Sequence, residues 1–251
     1  MKITILGASS GFGREFTKLL ISTDNEITAI SNDEKGLEAL REYDPGITLV
    51  CRDLTNPADL DYVCERHTDC DFLINSAGGG MLGDITSSSI EEDQYYMRLN
   101  VWALHKITKT ALLGMIERRQ GKLLNICSMA SFFPFPNFSL YASTKAFSGS
   151  YTLALAKEVE KYGIHVMALF PGPTRTNFLP QEAFDNIQKK YHDLSIYMKP
   201  DVIAKMALKN FDKGKIAYIP GASNKILKWA GRFASIKLLN NIIFKMHDGL
   251  L

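Results

Sequence analysis

Short apolar or β-branched runs alternate with longer segments of helical period along most of this chain. The strand candidates are residues 2–6, 26–31, 47–51, 71–75, 122–128, 165–170 and 215–219. Helix candidates lie between them at 13–22, 34–43, 58–67, 91–119, 141–162 and 201–211. Strands separated by helix-length crossovers pair in parallel, and the crossover helices then cover both faces of the sheet. Strands buried on both sides read as continuous apolar runs, as Phe72-Leu73-Ile74 and Leu123-Leu124-Asn125-Ile126 largely do. The expected fold class is therefore α/β: a doubly wound, mainly parallel sheet of seven strands with helices on both faces.

At 251 residues one such domain accounts for the chain. Folding at this size buries roughly 75% of the unfolded surface, so no disulfide or metal staple is needed. The cysteines are Cys51, Cys64, Cys70 and Cys127, and their spacing fits no metal site. Cys51 and Cys127 end apolar runs and are expected in the core. The expected setting is a reducing, cytoplasmic one. The sequence enters its first strand directly, so no leader is expected, and no apolar run approaches the roughly 20 residues of a membrane span. A net charge of +2 argues neither for nucleic acid nor for a strongly charged partner, and no nucleic-acid partner is expected.

The first strand runs into Gly7-Ala8-Ser9-Ser10-Gly11-Phe12-Gly13, and a helix follows. Glycines let the backbone turn sharply and approach a pyrophosphate, and a helix N-terminus offers free N–H groups with partial positive charge. The spacing GxxxGxG differs from GxGxxG but allows the same contacts; the bland alternative is a tight turn. Farther on, Tyr141 and Lys145 stand one helical turn apart on one face. An ammonium beside a phenol favours the ionised form and lowers its pKa from about 10. Ser128 can bind the oxygen whose proton Tyr141 would handle. On its own, the pair is equally an ordinary helix-face contact.

Gly7-x-x-x-Gly11-x-Gly13, Asn75-Ser76-Ala77-Gly78, Asn100, Ser128, Tyr141-x-x-x-Lys145 and Pro171-Gly172 occur in the order and spacing of the short-chain dehydrogenase/reductase family. The resemblance spans residues 1 to about 220 and implies a Rossmann-type fold. It implies that Tyr141 donates and accepts the proton at the substrate oxygen, that Lys145 lowers its pKa and holds the nicotinamide ribose, and that Ser128 polarises the carbonyl. It implies that Asn100 holds a water linking Lys145 to solvent; a helix-kink asparagine is the alternative. Gly7, Ser9, Ser10, Gly11, Phe12 and Gly13 would form the phosphate loop. Leu54, Asn75, Ala77 and Gly78 would line the adenosine side, with Ser76 replacing the family's second Asn. Asp53 matches the residue that bonds adenine in relatives, or is a turn aspartate before Thr55-Asn56-Pro57. Pro171, Gly172, Thr174 and Thr176 would grip the carboxamide.

Cofactor choice rests on the end of the second strand. Ser31 stands where NAD enzymes of the family carry Asp, and Asn32 where many NADP enzymes carry Arg. Ser10, Ser31 and Asn32 can bond a phosphate, with Lys35 as a charge. The balance favours NADP(H) over NAD(H), while Asp33 lies close enough to serve a 2′-OH. No metal is expected.

Phe132, Phe133, Phe135 and Phe138 form either an apolar substrate wall or internal packing. Met81, Leu82, Phe178 and Leu179 would extend such a wall, with residues 173–200 as a lid. Residues 1–221 read as one dinucleotide-binding and catalytic domain. Residues 222–251 form a basic, amphipathic tail that either lies on a membrane surface or packs on protein. The expected function is hydride transfer between NADP(H) and a hydrophobic ketone or aldehyde, by a homodimer or homotetramer. The alternative is a non-catalytic NAD(P)-sensing protein; an epimerase or dehydratase would need a larger C-terminal substrate domain.

Overall fold

The computed structural model describes residues 1–21, 24–174 and 198–247. Its strands are β1 (Lys2–Leu6), β2 (Glu26–Ser31), β3 (Thr48–Cys51), β4 (Phe72–Asn75), β5 (Gly121–Ile126), β6 (Ile164–Leu169) and β7 (Ala217–Tyr218). They form one sheet in the order β3-β2-β1-β4-β5-β6-β7, with every neighbouring pair parallel. The order reverses between β1 and β4, which opens a crevice at the carboxyl ends of these two strands.

The α-helices among the described residues are α1 (Gly11–Leu20), α2 (Glu34–Glu38), α3 (Pro57–His67), α4 (Ile90–Met97), α5 (Leu104–Glu117), α6 (Ser139–Val159), α7 (Pro200–Phe211), α8 (Ala222–Gly231) and α9 (Ile236–His247). Alternate strand residues serve opposite faces of the sheet. Ile5, Ile74, Ile126 and Leu169 pack with Phe16 of α1, Leu37 of α2 and Phe211 of α7. Leu73, Leu123 and Val166 pack with Val63 of α3, Ile107 of α5 and Val159 of α6. This two-sided burial is why the strands read as unbroken apolar runs. Ile74 has no exposed surface. Trimming it to Val should cost about 0.5–1.5 kcal/mol, lowering Tm by about 2–4 °C per kcal/mol in a domain this large, as a thermal melt would show.

Three local differences from the sequence expectation bear on the site. The helix expected over 91–119 is interrupted by a π-helical stretch at Arg98–Ala103, between α4 and α5. Such stretches bulge one residue out of register and re-aim its side chain, which here is Asn100. The strand expected over 122–128 stops at Ile126, leaving Ser128 beyond the sheet. Cys51 is exposed, not in the core as expected; β3 is an edge strand, covered less completely than the centre. Cys127 is buried as expected.

Candidate functional site

The loop between β1 and α1 is shaped by close approach. Gly7 has φ +70° and Gly11 φ +51°, in the left-handed region open to glycine. A Cβ on Gly7 would stand 2.7 Å from the Ala77 backbone nitrogen, and one on Gly13 would stand 2.0 Å from the Gly7 carbonyl oxygen. The loop is anchored by Gly7 N and Ala8 N, which donate to Ile30 O at 2.8 and 3.1 Å. Ser10 occupies the N-cap of α1, yet its side chain makes no capping bond, and the first turn carries no acid. The first N–H groups of α1 therefore stay available to an anion. Phe12 packs against the core on the α1 face.

At the end of β2, the buried Ser31 shares a 2.9 Å hydrogen bond with Ser9. Asn32 is exposed and donates through Nδ2 to Tyr95 Oη at 3.4 Å. Asp33 caps α2, its Oδ1 accepting from Gly36 N at 3.1 Å. Asp53 Oδ1 accepts from Thr55 N and Thr55 Oγ1 at 2.9 and 2.8 Å, a turn motif ahead of the Asn56 cap of α3. Asp53 also lies close enough to Tyr95 to disfavour its phenolate, adding to a rise caused first by burial. Leu54 and Asn75 are buried. Asn75 Nδ2 has no hydrogen-bond partner, at the switch point where β1 and β4 diverge. A buried, unpaired donor costs free energy until something accepts from it.

Ser128 follows β5 and caps the 3₁₀ turn Met129–Phe132, its Oγ accepting from Ala130 N at 3.1 Å. The same hydroxyl lies close enough to the phenol of Tyr141, in the first turn of α6, to favour its ionised form. Tyr141 stacks on Phe138 at 4.3 Å. One turn on, buried Lys145 directs Nζ to Ile126 O at 3.1 Å, 5.8 Å from the Tyr141 ring centroid. Asn100 Oδ1 accepts from Gly79 N at 3.0 Å, and its Nδ2 donates to Gly79 O at 2.7 Å and to Thr144 Oγ1 at 3.0 Å. A Cβ on Gly78 would meet Lys145 Nζ at 3.1 Å and Asn100 Oδ1 at 3.2 Å, so Asn100, Lys145 and the strand β4 loop converge.

The electrostatics differ from expectation here. Burial pushes the Tyr141 phenol up to about 12, against the lowering effect of the Ser128 hydroxyl. Burial also lowers the pKa of Lys145. Packing around both groups removes water from them, and desolvation favours the neutral form of each. The expected lowering by Lys145 is not among the influences on the phenol; Lys145 Nζ faces the Ile126 carbonyl.

Beyond Tyr141, Gly80, Met81, Ile85, Tyr96, Leu140 and Tyr141 line a cleft that also takes in Asp84 and Asp93. The phenylalanines divide. Phe132 packs on Phe170 and Phe133 on Gly231 and Ile243, both internal, whereas Phe138 stays against Tyr141. After β6, Pro171 O accepts from Met129 N at 2.9 Å, which ties this loop to the turn that follows Ser128. Thr174 Oγ1 donates to Gly172 O at 2.9 Å. Thr176, Phe178, Leu179 and most of the expected lid at 173–200 lie outside the described residues. The motif pattern passed over Tyr95 and Tyr96. Tyr96 stands four positions before Asn100, on the same helical face, and that spacing was the available signal.

These residues fit a dinucleotide. The loop glycines leave no room for side chains, the α1 N-terminus is open, and buried Asn75 Nδ2 has no partner. A family model described as short chain dehydrogenase matches residues 1–186. An uncharacterized short-chain type dehydrogenase/reductase of Sinorhizobium fredii, y4eK, is 29% identical over 80% of this chain and 82% of its own. Among solved structures, a short-chain dehydrogenase from Sphingobium yanoikuyae in complex with NADPH superposes with TM-score 0.80 at 26% identity, covering 92% of this chain and 91% of that one. The bulky-bulky ketone specific alcohol dehydrogenase from Comamonas testosteroni superposes with TM-score 0.76 at 25% identity, over 92% and 91%.

Proposed function

The chain belongs to the short-chain dehydrogenase family, and on that footing we propose that it transfers a hydride between NADP(H) and a hydrophobic ketone or aldehyde, or the matching alcohol. The observation that carries this reading is the Ser128 hydroxyl set beside the Tyr141 phenol, with Lys145 buried one turn away.

A nicotinamide dinucleotide, when bound, supplies the hydride. Gly7, Ser9, Ser10, Gly11, Phe12 and Gly13 would hold its phosphates, and Asp53, Leu54, Asn75, Ala77 and Gly78 its adenosine side. Pro171, Gly172, Thr174 and Thr176 would orient the nicotinamide. In the reduction direction Ser128 Oγ–H donates to the substrate oxygen and aligns the carbonyl. Tyr141 Oη–H gives that oxygen its proton as negative charge develops there. Lys145 stabilises the resulting phenolate, and the loop clamped by Asn100 leads the replacement proton in from solvent. Oxidation runs these transfers backward. The cleft beyond Tyr141 is lined by Met81, Tyr96 and Leu140, which supports an apolar substrate; the Comamonas relative is specific for bulky ketones.

The NADP(H) preference rests on Asp33, whose carboxylate is committed to the α2 cap while Asn32 and Lys35 stay exposed. Turnover with NADPH should exceed turnover with NADH. Ser31→Asp should shift the ratio toward NADH by about tenfold or more, since a carboxylate facing a phosphate costs over about 1.4 kcal/mol. An unchanged ratio would remove the preference. The test of the activity itself is oxidation of NADPH against a panel of ketones and aldehydes. Turnover of small polar polyols alone would overturn the substrate class. Cofactor binding without any turnover would favour the sensing alternative.

The exposed side chains Trp102, Leu113 and Phe147 support a homodimer or homotetramer. All four cysteines are free, which supports a reducing, cytoplasmic setting. No helix among the described residues is long and apolar enough to cross a membrane.

A further inference from the structure

An amphipathic helix normally turns its apolar stripe toward the protein. Helix α8 does the reverse. Its inward positions are Asn224, Lys228 and Gly231. Asn224 is buried, with Nδ2 donating to Pro220 O at 2.8 Å. Lys228 Nζ lies 4.2 Å over the Phe132 ring. Gly231 lies so close to Phe133 that an added Cβ would stand 2.2 Å from the ring. Half a turn away stand Ile226, Trp229 and Phe233, spaced i, i+3, i+7 and exposed by 66%, 69% and 71%. Trp229 and Phe233 touch, with centroids 5.1 Å apart. Ile236, at the start of α9, is 69% exposed and continues the stripe.

The charge around this stripe has one sign. From Lys213 to His247 the sequence carries seven Lys or Arg and no Asp or Glu. Lys225 and Arg232 are exposed on the flank of α8, between its inward and outward faces. A Trp/Phe/Ile stripe flanked by cations matches the interface of an anionic bilayer, where aromatic rings sit at headgroup depth and cations meet lipid phosphates and carboxylates. A second copy of this chain fits poorly, because joining two such faces would bring like charges together. We propose that α8 and the start of α9 dock this protein on the surface of membranes containing anionic lipid, with Ile226, Trp229, Phe233 and Ile236 entering the interface. The proposal is independent of the reaction assigned above.

The test is co-sedimentation of the full chain with phosphatidylcholine vesicles, either pure or containing about one third phosphatidylserine. Binding is expected to the mixed vesicles only, and to fall as salt rises from 0.1 M to 1 M and the screening length shrinks from about 10 to about 3 Å. Lys225→Gln with Arg232→Gln should weaken binding about thirty-fold. Trp229→Ala with Phe233→Ala should weaken it by about tenfold or more. Both double variants replace exposed side chains, and unchanged NADPH binding and Tm would show that they fold. No binding by the parent protein, or equal binding to pure phosphatidylcholine, overturns the proposal. So does a sedimentation experiment in which the parent dimerises and Trp229→Ala with Phe233→Ala abolishes the dimer, since the stripe is then a contact between copies.

Discussion

Tyr141→Phe is expected to lower kcat for ketone reduction by about 10²–10⁴, the usual contribution of a positioned general acid. NADPH affinity should stay near that of the parent. The phenyl ring keeps the stacking position on Phe138, and Ser128 keeps its bond from Ala130 N. What disappears is the proton that the reduced oxygen must receive. The pH behaviour follows from the raised phenol. With its pKa near 12, Tyr141 is protonated at neutral pH and ready to donate in reduction. Alcohol oxidation needs the phenolate, so kcat/KM for oxidation should climb with pH while reduction does not. Both trends should vanish in the variant. The same shift has a stability consequence. The unfolded phenol titrates near 10 and the folded one near 12, so the stabilisation is intact below pH 10 and is lost between these values. Denaturant titrations on either side of pH 10 should show a smaller alkaline loss in Tyr141→Phe. Undiminished turnover in this variant would overturn the mechanism.

Gly13→Ala should have the second-largest effect. The new Cβ would sit 2.0 Å from the Gly7 carbonyl oxygen and 2.6 Å from its carbon, both backbone atoms that no rotamer change can move aside. Either α1 shifts or the loop opens. The expected cost is about 1–3 kcal/mol of stability. NADPH affinity should fall by about tenfold or more, because the N–H groups that would cradle its phosphates move with the loop. Gly214→Ala serves as the control. Gly214 also has positive φ, +73°, but nothing lies within 4 Å of its added Cβ. It should cost about 1 kcal/mol of backbone strain and leave NADPH binding unchanged. Calorimetric titration and thermal melts of the two variants separate these outcomes. Equal NADPH affinity in Gly13→Ala and the parent would remove Gly7–Gly13 from the phosphate site.

Much of the site was legible because its residues sit where the fold class places them. Gly7 to Gly13 had to lie at the end of β1, Asn75 at the end of β4 and Ser128 just past β5, since in a parallel sheet all three strand ends open on one edge. The illegible parts depend on competition. Asp33 was close enough in sequence to meet a ribose, but it caps α2, its carboxylate taking the Gly36 N–H at the open start of that helix. Asp53 accepts from Thr55 through Oδ1, the turn the sequence allowed beside its adenine role, and sequence alone could not choose between them. The four phenylalanines near Ser128 are one apolar run in sequence; chain direction after Ser128 turns Phe132 to Phe170 and Phe133 to α8.

The alternation of apolar runs and helical periods, with glycines and polar motifs at strand ends, was enough to specify a doubly wound sheet and the edge where the candidate site lies. That information is local: each residue's polarity and spacing, set by the 2.0 and 3.6 periods of strand and helix. The Tyr141 pKa, the π stretch that turns Asn100 onto Gly79, and the outward apolar stripe of α8 emerged only from the packed chain. Each depends on which distant group covers a residue and how much water it removes, and neither quantity is written in the spacing.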